Sequence, residues 1–182
     1  MKKWFIIVLL AVMAGWAIFN TIQKQKAPVK QAAADPNITV GTDIGNAAPN
    51  FVVKTTQGKE VNLSQYRGKK VILNFWATWC GPCRSEMPAM EKFYQDMKDQ
   101  GVEILAVNAT ATEKSKTNID AFLKENNYTF PVLLDEKGDV NALYRVAGIP
   151  TSYILNEKGI IVIKHVGPMT YENMKEYIQK AE

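Results

Sequence analysis

The sequence predicts an α/β sandwich on a mixed central sheet. From Gly41 onward, short apolar runs alternate with amphipathic segments of helical period. Two of those runs, Val71–Trp76 and Val102–Asn108, lack polar alternation, as strands covered on both faces do. The chain then closes with a hairpin pattern and one more helix, which adds antiparallel strands to the sheet. Its 182 residues, 47% apolar and 22% charged, suffice for one domain with a sizeable core.

The elements follow in order. Trp4–Ile22 is 19 residues without a charge, with only Asn20 and Thr21 strongly polar, which is long enough to span a bilayer as a helix. The spacing therefore predicts a single transmembrane anchor over residues 4–22, with residues 1–3 cytoplasmic. A cleaved signal peptide ending at Ala32-Ala33-Ala34 is the rival, but the apolar run stops further upstream than a short cleavage region allows. Lys2 and Lys3 favour a cytoplasmic N-terminus, while Lys24, Lys26 and Lys30 beyond the span oppose it. Residues 23–40, mostly Lys, Gln, Ala and Pro, read as a flexible tether with a reach of roughly 25 Å.

Residues 41–182 form the folded domain. Phe51–Thr55 and Glu60–Leu63 are expected to pair as a hairpin through Gln57-Gly58-Lys59. After the strand Val71–Trp76, a helix runs from Pro82 to about Gln100, where Gly101 stops it. Its apolar face is predicted through Cys83, Met87, Met90, Tyr94 and Met97, with Glu86, in line with Met90, Phe93 and Met97, bordering it. Pro88 within that helix removes a hydrogen bond and should bend it. Val102–Asn108 is the second central strand, and Lys116–Asn126 a helix turning Ile119, Phe122 and Leu123 inward. Val132–Leu134, a short helix near Asp139–Tyr144, the hairpin Thr151–Leu155/Ile160–Val166 and a helix over Thr170–Lys180 complete the pattern.

The first 40 residues carry five lysines against one aspartate, so the remaining 142 hold 17 basic and 17 acidic side chains. The formal charge of +4 thus belongs to the N-terminus, and the domain has no basic stripe for nucleic acid. The two cysteines, Cys80 and Cys83, cannot supply a disulfide framework. They sit one helical turn apart, between the strand Val71–Trp76 and the helix that follows. Cys80 therefore falls at a helix N-terminus, where backbone N–H groups and the macrodipole stabilise a thiolate. A thiolate beside a second thiol exchanges disulfides. A zinc site would need about four ligands, and the only other candidate is the distant His165.

The segment Phe75-Trp76-Ala77-Thr78-Trp79-Cys80-Gly81-Pro82-Cys83-Arg84 resembles the thioredoxin active site, and Gly148-Ile149-Pro150-Thr151 resembles that family's cis-proline loop. The N-terminal span, the Ala48-Pro49-Asn50-Phe51 approach to the first hairpin, and extra chain between Asn108 and Phe130 are similar to the membrane-anchored TlpA/ResA-like thioredoxins. The resemblance implies a thioredoxin-like fold with an added N-terminal β-hairpin and a central insertion. It also implies reduction of protein disulfides outside the cytoplasmic membrane, commonly on apocytochrome c.

Carried over by position, Cys80 would be the attacking thiol and Cys83 the buried resolving thiol, forming a redox disulfide. Trp79, Gly81, Pro82, Ile149 and Pro150 would contact substrate, with Pro150 in cis leaving the backbone of Ile149 free to pair with it. Where thioredoxin has a buried aspartate this chain has Asn74, which cannot titrate. Glu86 is expected to replace it as the proton-handling carboxylate, its pKa raised by burial; the alternative is a solvated acid complementing the helix dipole. Trp76 and Trp79 are expected to pack the site, and His165 to be a surface or hydrogen-bonded histidine.

The expected function is a monomeric, single-pass, extracytoplasmic thiol-disulfide oxidoreductase of bacterial type, without cofactor or metal. Gly81-Pro82 matches thioredoxin, whose potential near about −270 mV suits a reductant. Such a protein needs recharging by a membrane electron donor of the thiol-transfer type. Three rivals remain. A disulfide oxidase or isomerase usually has a different dipeptide between its cysteines. A thiol peroxidase shares the Ala48-Pro49-Asn50-Phe51 approach but needs a threonine and proline placed before its reactive cysteine. A non-catalytic docking module would have no use for an intact cysteine pair.

Overall fold

The computed structural model of the protein describes residues 38–181. The expected span at 4–22 and most of the tether lie outside them; among the described residues no helix is long and apolar enough to cross a membrane. Seven strands form one mixed sheet: β1 (Val52–Thr55), β2 (Glu60–Asn62), β3 (Lys70–Trp76), β4 (Val102–Asn108), β5 (Val132–Leu134), β6 (Thr151–Leu155) and β7 (Ile161–Val166). Their order is β2-β1-β5-β4-β3-β6-β7, with β3–β4 and β4–β5 parallel and the other pairs antiparallel. The helices are α1 (Gly81–Met97), α2 (Lys116–Asn126), α3 (Asp139–Leu143) and α4 (Tyr171–Gln179). Both predicted hairpins form, and the two central strands pair in register from Lys70 opposite Val102 to Trp76 opposite Asn108.

Alternation along β3 divides the core. Val71, Leu73 and Phe75 face Leu63, Tyr144 and Tyr153 on the α3 side. Ile72 and Trp76 face Met87, Met90 and Phe93 of α1 and Met174 and Ile178 of α4. Met87, Met90 and Phe93 are fully buried, which stabilises the α1 packing by about 1.5–3 kcal/mol each. Asn74 occupies a position between Ile72 and Trp76 on this second face, a polar residue set in an apolar row.

The buried stripe of α1 is Cys83, Glu86, Met87, Met90 and Phe93, one position round from the expected one. Tyr94 and Met97 are only half-buried, because Tyr94 lies at the rim, edge-on to Phe130, with a polar tip that favours such borders. The helix continues through Pro88 on its exposed side, tightens into a 3₁₀ turn over Lys98–Gln100, and stops at Gly101, whose φ of 77° suits glycine. α2 is capped by the Ser115 hydroxyl and buries Ile119, with Phe122 and Leu123 half-covered.

The final strand starts at Ile161 rather than Ile160, because Ile160 bridges Ala47, which also bridges Val40. Gly45 N–H and Ile161 N–H exchange bonds with the carbonyls of Ile161 and Asn46, so this leading segment covers the start of the β7 edge.

Candidate active site

The end of β3 and the start of α1 set the position of both sulfurs. Cys80 is the N-cap of α1, with extended backbone, and its Sγ accepts the Cys83 N–H at 3.1 Å. Cys80 and Cys83 are joined in a disulfide. The two sulfurs are not equally reachable: Cys83 is fully buried, whereas Cys80 keeps 5% of its surface. The same Cys83 N–H at the helix N-terminus would hold the Cys80 thiolate after reduction.

Around the pair, Cys80 Sγ lies 3.7 Å from the Ile149 carbonyl oxygen, and the Ile149–Pro150 peptide is cis. Gly81 and Pro82 are exposed, Ile149 is half-buried and Pro150 buried. Trp76 packs inside against Phe122, as expected. Trp79 does not pack inside: it is 58% exposed, because its indole N–H reaches outward to Thr112 Oγ1 at 3.2 Å. Trp79, Gly81, Pro82, Ile149 and Pro150 thus border Cys80 in one neighbourhood. Arg84, the next residue after Cys83, places its guanidinium over the Phe122 ring at 5.4 Å.

Three residues beyond Cys83 on α1, Glu86 is buried at 2% exposure. Its Oε1 accepts from Asn74 Nδ2 at 2.9 Å and its Oε2 from the Met169 N–H at 2.8 Å. Asn74 Nδ2 also donates to Ser152 Oγ at 2.9 Å. Burial pushes the Glu86 carboxyl up to about 7, although the bonds from Met169 and Asn74 favour its charged form. Being buried, Glu86 is not the solvated dipole-complementing acid of the alternative reading. His165, on β7, bonds through Nδ1 with the Tyr177 hydroxyl, so it is satisfied away from the sulfurs.

Sequence reasoning missed Glu113. Its carboxylate takes the Thr78 N–H at 2.7 Å, the Thr78 hydroxyl at 2.5 Å and Asn108 Nδ2 at 2.9 Å. A lone glutamate in the insertion carries no periodic signal for a contact of this kind. Ser152 was missed as well, yet it was detectable: with Asn74, it is a polar residue interrupting an apolar strand.

A sheet of this order, with a bridged Cys-Gly-Pro-Cys at the N-terminus of its principal helix, defines a thioredoxin-like thiol-disulfide oxidoreductase. The chain belongs to the AhpC/TSA family, whose profile matches residues 44–164. It is 42% identical to the thioredoxin-like protein YneN of Bacillus subtilis over 97% of this chain and 96% of that protein. To the thiol-disulfide oxidoreductase ResA of the same organism it is 36% identical, over 95% and 88%. The crystal structure of StoA from Bacillus subtilis superposes with a TM-score of 0.65 at 39% identity, covering 72% of this chain and 98% of that one. A DsbE-type thiol:disulfide interchange protein from Chlorobium tepidum gives 0.70 at 34%, covering 78% and 99%.

Proposed function

We propose that the protein is an extracytoplasmic reductant of protein disulfides, held at the cell membrane as a single-pass monomer by residues 4–22. In this reading the Cys80 thiolate attacks one sulfur of a client disulfide, forming a mixed disulfide and releasing the other sulfur as a thiolate, which takes a proton. Cys83 then attacks Cys80, gives its proton to Glu86, and frees the client's second sulfur. The client leaves as a dithiol and the protein retains the Cys80–Cys83 bridge, which a membrane thiol-transfer donor must reopen. Trp79, Gly81, Pro82, Ile149 and Pro150 would contact the client chain. The names of ResA and the DsbE-type protein support thiol-disulfide exchange as the chemistry; apocytochrome c is the client the resemblance favours.

The observation that carries this reading is the asymmetry of the pair: Cys80 is the sulfur with access, at a helix N-terminus, and Cys83 is enclosed behind it. A Cys83→Ser variant of the full chain, expressed in a bacterial host, should accumulate mixed disulfides through Cys80, identifiable by mass spectrometry. Failure to trap any adduct, together with no reduction of insulin by the unaltered protein and dithiothreitol, would overturn it.

A further inference from the structure

We infer that Asn74 is a positioning residue for this chemistry: its side-chain amide turns over when Glu86 gains or loses a proton, keeping the carboxyl group aligned in both forms. The inference rests on the proposed role of Glu86.

The arrangement described above suits only the carboxylate. Both hydrogens of Asn74 Nδ2 are engaged, one by Glu86 Oε1 and the other by Ser152 Oγ, each at 2.9 Å. The other carboxyl oxygen, Oε2, is committed to the Met169 N–H, a backbone donor that cannot change its role. A proton arriving on Glu86 is therefore directed to Oε1, where it would meet an N–H of Asn74. Donor would face donor.

A half-turn of the amide removes that conflict. It brings Oδ1 to the place Nδ2 holds, where it can accept from the Glu86 O–H and from the Ser152 hydroxyl, which donates as readily as it accepts. No bond is broken on the far side, because Asn74 Oδ1 is buried without a hydrogen-bond partner, and the turn sets the two Nδ2 hydrogens in its place. An orphaned buried acceptor is costly in a fixed amide. Here it is the side the amide exchanges when it turns.

The surroundings leave Glu86 few other controls. Cys83 lies three residues earlier on its own helix, bridged to Cys80. Ser152 faces it from β6 and Met169 from the loop before α4. His165, the cross-strand neighbour of Ser152, is bonded to Tyr177. Among the described residues no charged side chain other than Glu86 itself is hydrogen-bonded to Asn74, Glu86 or Ser152.

Nuclear magnetic resonance of the full-length protein, with glutamate labelled at Cδ and asparagine at Nδ2, tests this without any substitution. Above the Glu86 midpoint, the Asn74 amide protons should show contacts to Glu86 and Ser152. Below it those contacts should vanish, with the midpoint of the Glu86 carboxyl carbon. If Glu86 titrates while the contacts persist, the inference is overturned and the role of Glu86 stands. A Glu86 carboxyl that does not titrate between pH 4 and 10 overturns both. An Asn74→Leu variant gives a second reading: it takes a bond from both forms of Glu86, so the midpoint should move by well under one pH unit. A rise of about one unit or more, the tenfold change expected when only the carboxylate loses a donor, would mark a fixed amide and overturn the inference.

Discussion

Glu113 holds Thr78 by two bonds at once, taking its backbone N–H at 2.7 Å and its hydroxyl at 2.5 Å across 35 residues of chain. Thr78 stands two residues before Cys80, so the insertion braces the turn that presents the reactive sulfur. Replacing Glu113 with Ala leaves the Thr78 N–H without its partner and should destabilise the fold by about 1–3 kcal/mol. Insulin reduction should slow by roughly tenfold, since small displacements of a reacting group are expensive. Unaltered turnover in the folded variant would show that the brace does not position Cys80.

Glu86 makes stability depend on pH. Burial raises its carboxyl from 4.5 to about 7 in the folded chain. The neutral form is the one the fold favours, so this contribution is complete below pH 4.5 and is lost as pH rises through about 7. The loss is about 3 kcal/mol over that window. A Glu86→Gln variant has no such window. Its urea midpoint relative to the unaltered protein should climb between pH 4.5 and 8; parallel midpoints would contradict the burial argument.

Glu91 acts with the opposite sign. Burial raises its carboxyl, but the Thr129 N–H, Gln95 and the Thr129 hydroxyl together hold it below its ordinary value. That contribution exists above pH 4.5 and disappears as pH falls through the folded value. Glu91 clasps the far end of the insertion to α1 at 2.7–2.8 Å. Glu91→Gln should flatten the acid side of the stability curve and speed amide exchange in Lys116–Asn126; unchanged exchange there would refute the clasp.

Tyr144 offers a contrast away from the sulfurs. Its hydroxyl donates to the Pro49 carbonyl at 2.7 Å, tying the approach to the first hairpin into the core. Tyr144→Phe orphans that carbonyl and should lower stability by about 1–2 kcal/mol while leaving the rate of disulfide exchange intact. A change in rate would mean that the two faces of the sheet are coupled.

Much of this was legible in the sequence. β4, α2 and β5 begin and end where periodicity and length place them, because each is a local pattern with a clear boundary residue. The sulfur pair was legible because the motif, the strand before it and the helix after it are contiguous. Phe93 for Tyr94 on α1 was not, since which of two adjacent aromatics turns inward depends on Tyr171 and Phe130, brought there from distant segments. Glu86 could be picked out as bordering an apolar stripe, but its partners Asn74, Ser152 and Met169 come from separate parts of the chain. Glu113 had no local signature at all.

Because β3 and β4 finish level at Trp76 and Asn108, the reactive turn and the insertion leave the sheet side by side from neighbouring strand ends. The insertion is in that sense a cassette. Transplanting the stretch between Asn108 and Phe130 from one relative to another should reshape which clients are accepted, provided the graft keeps an acid where Glu113 stands. The sulfur chemistry itself would travel unchanged with the host scaffold.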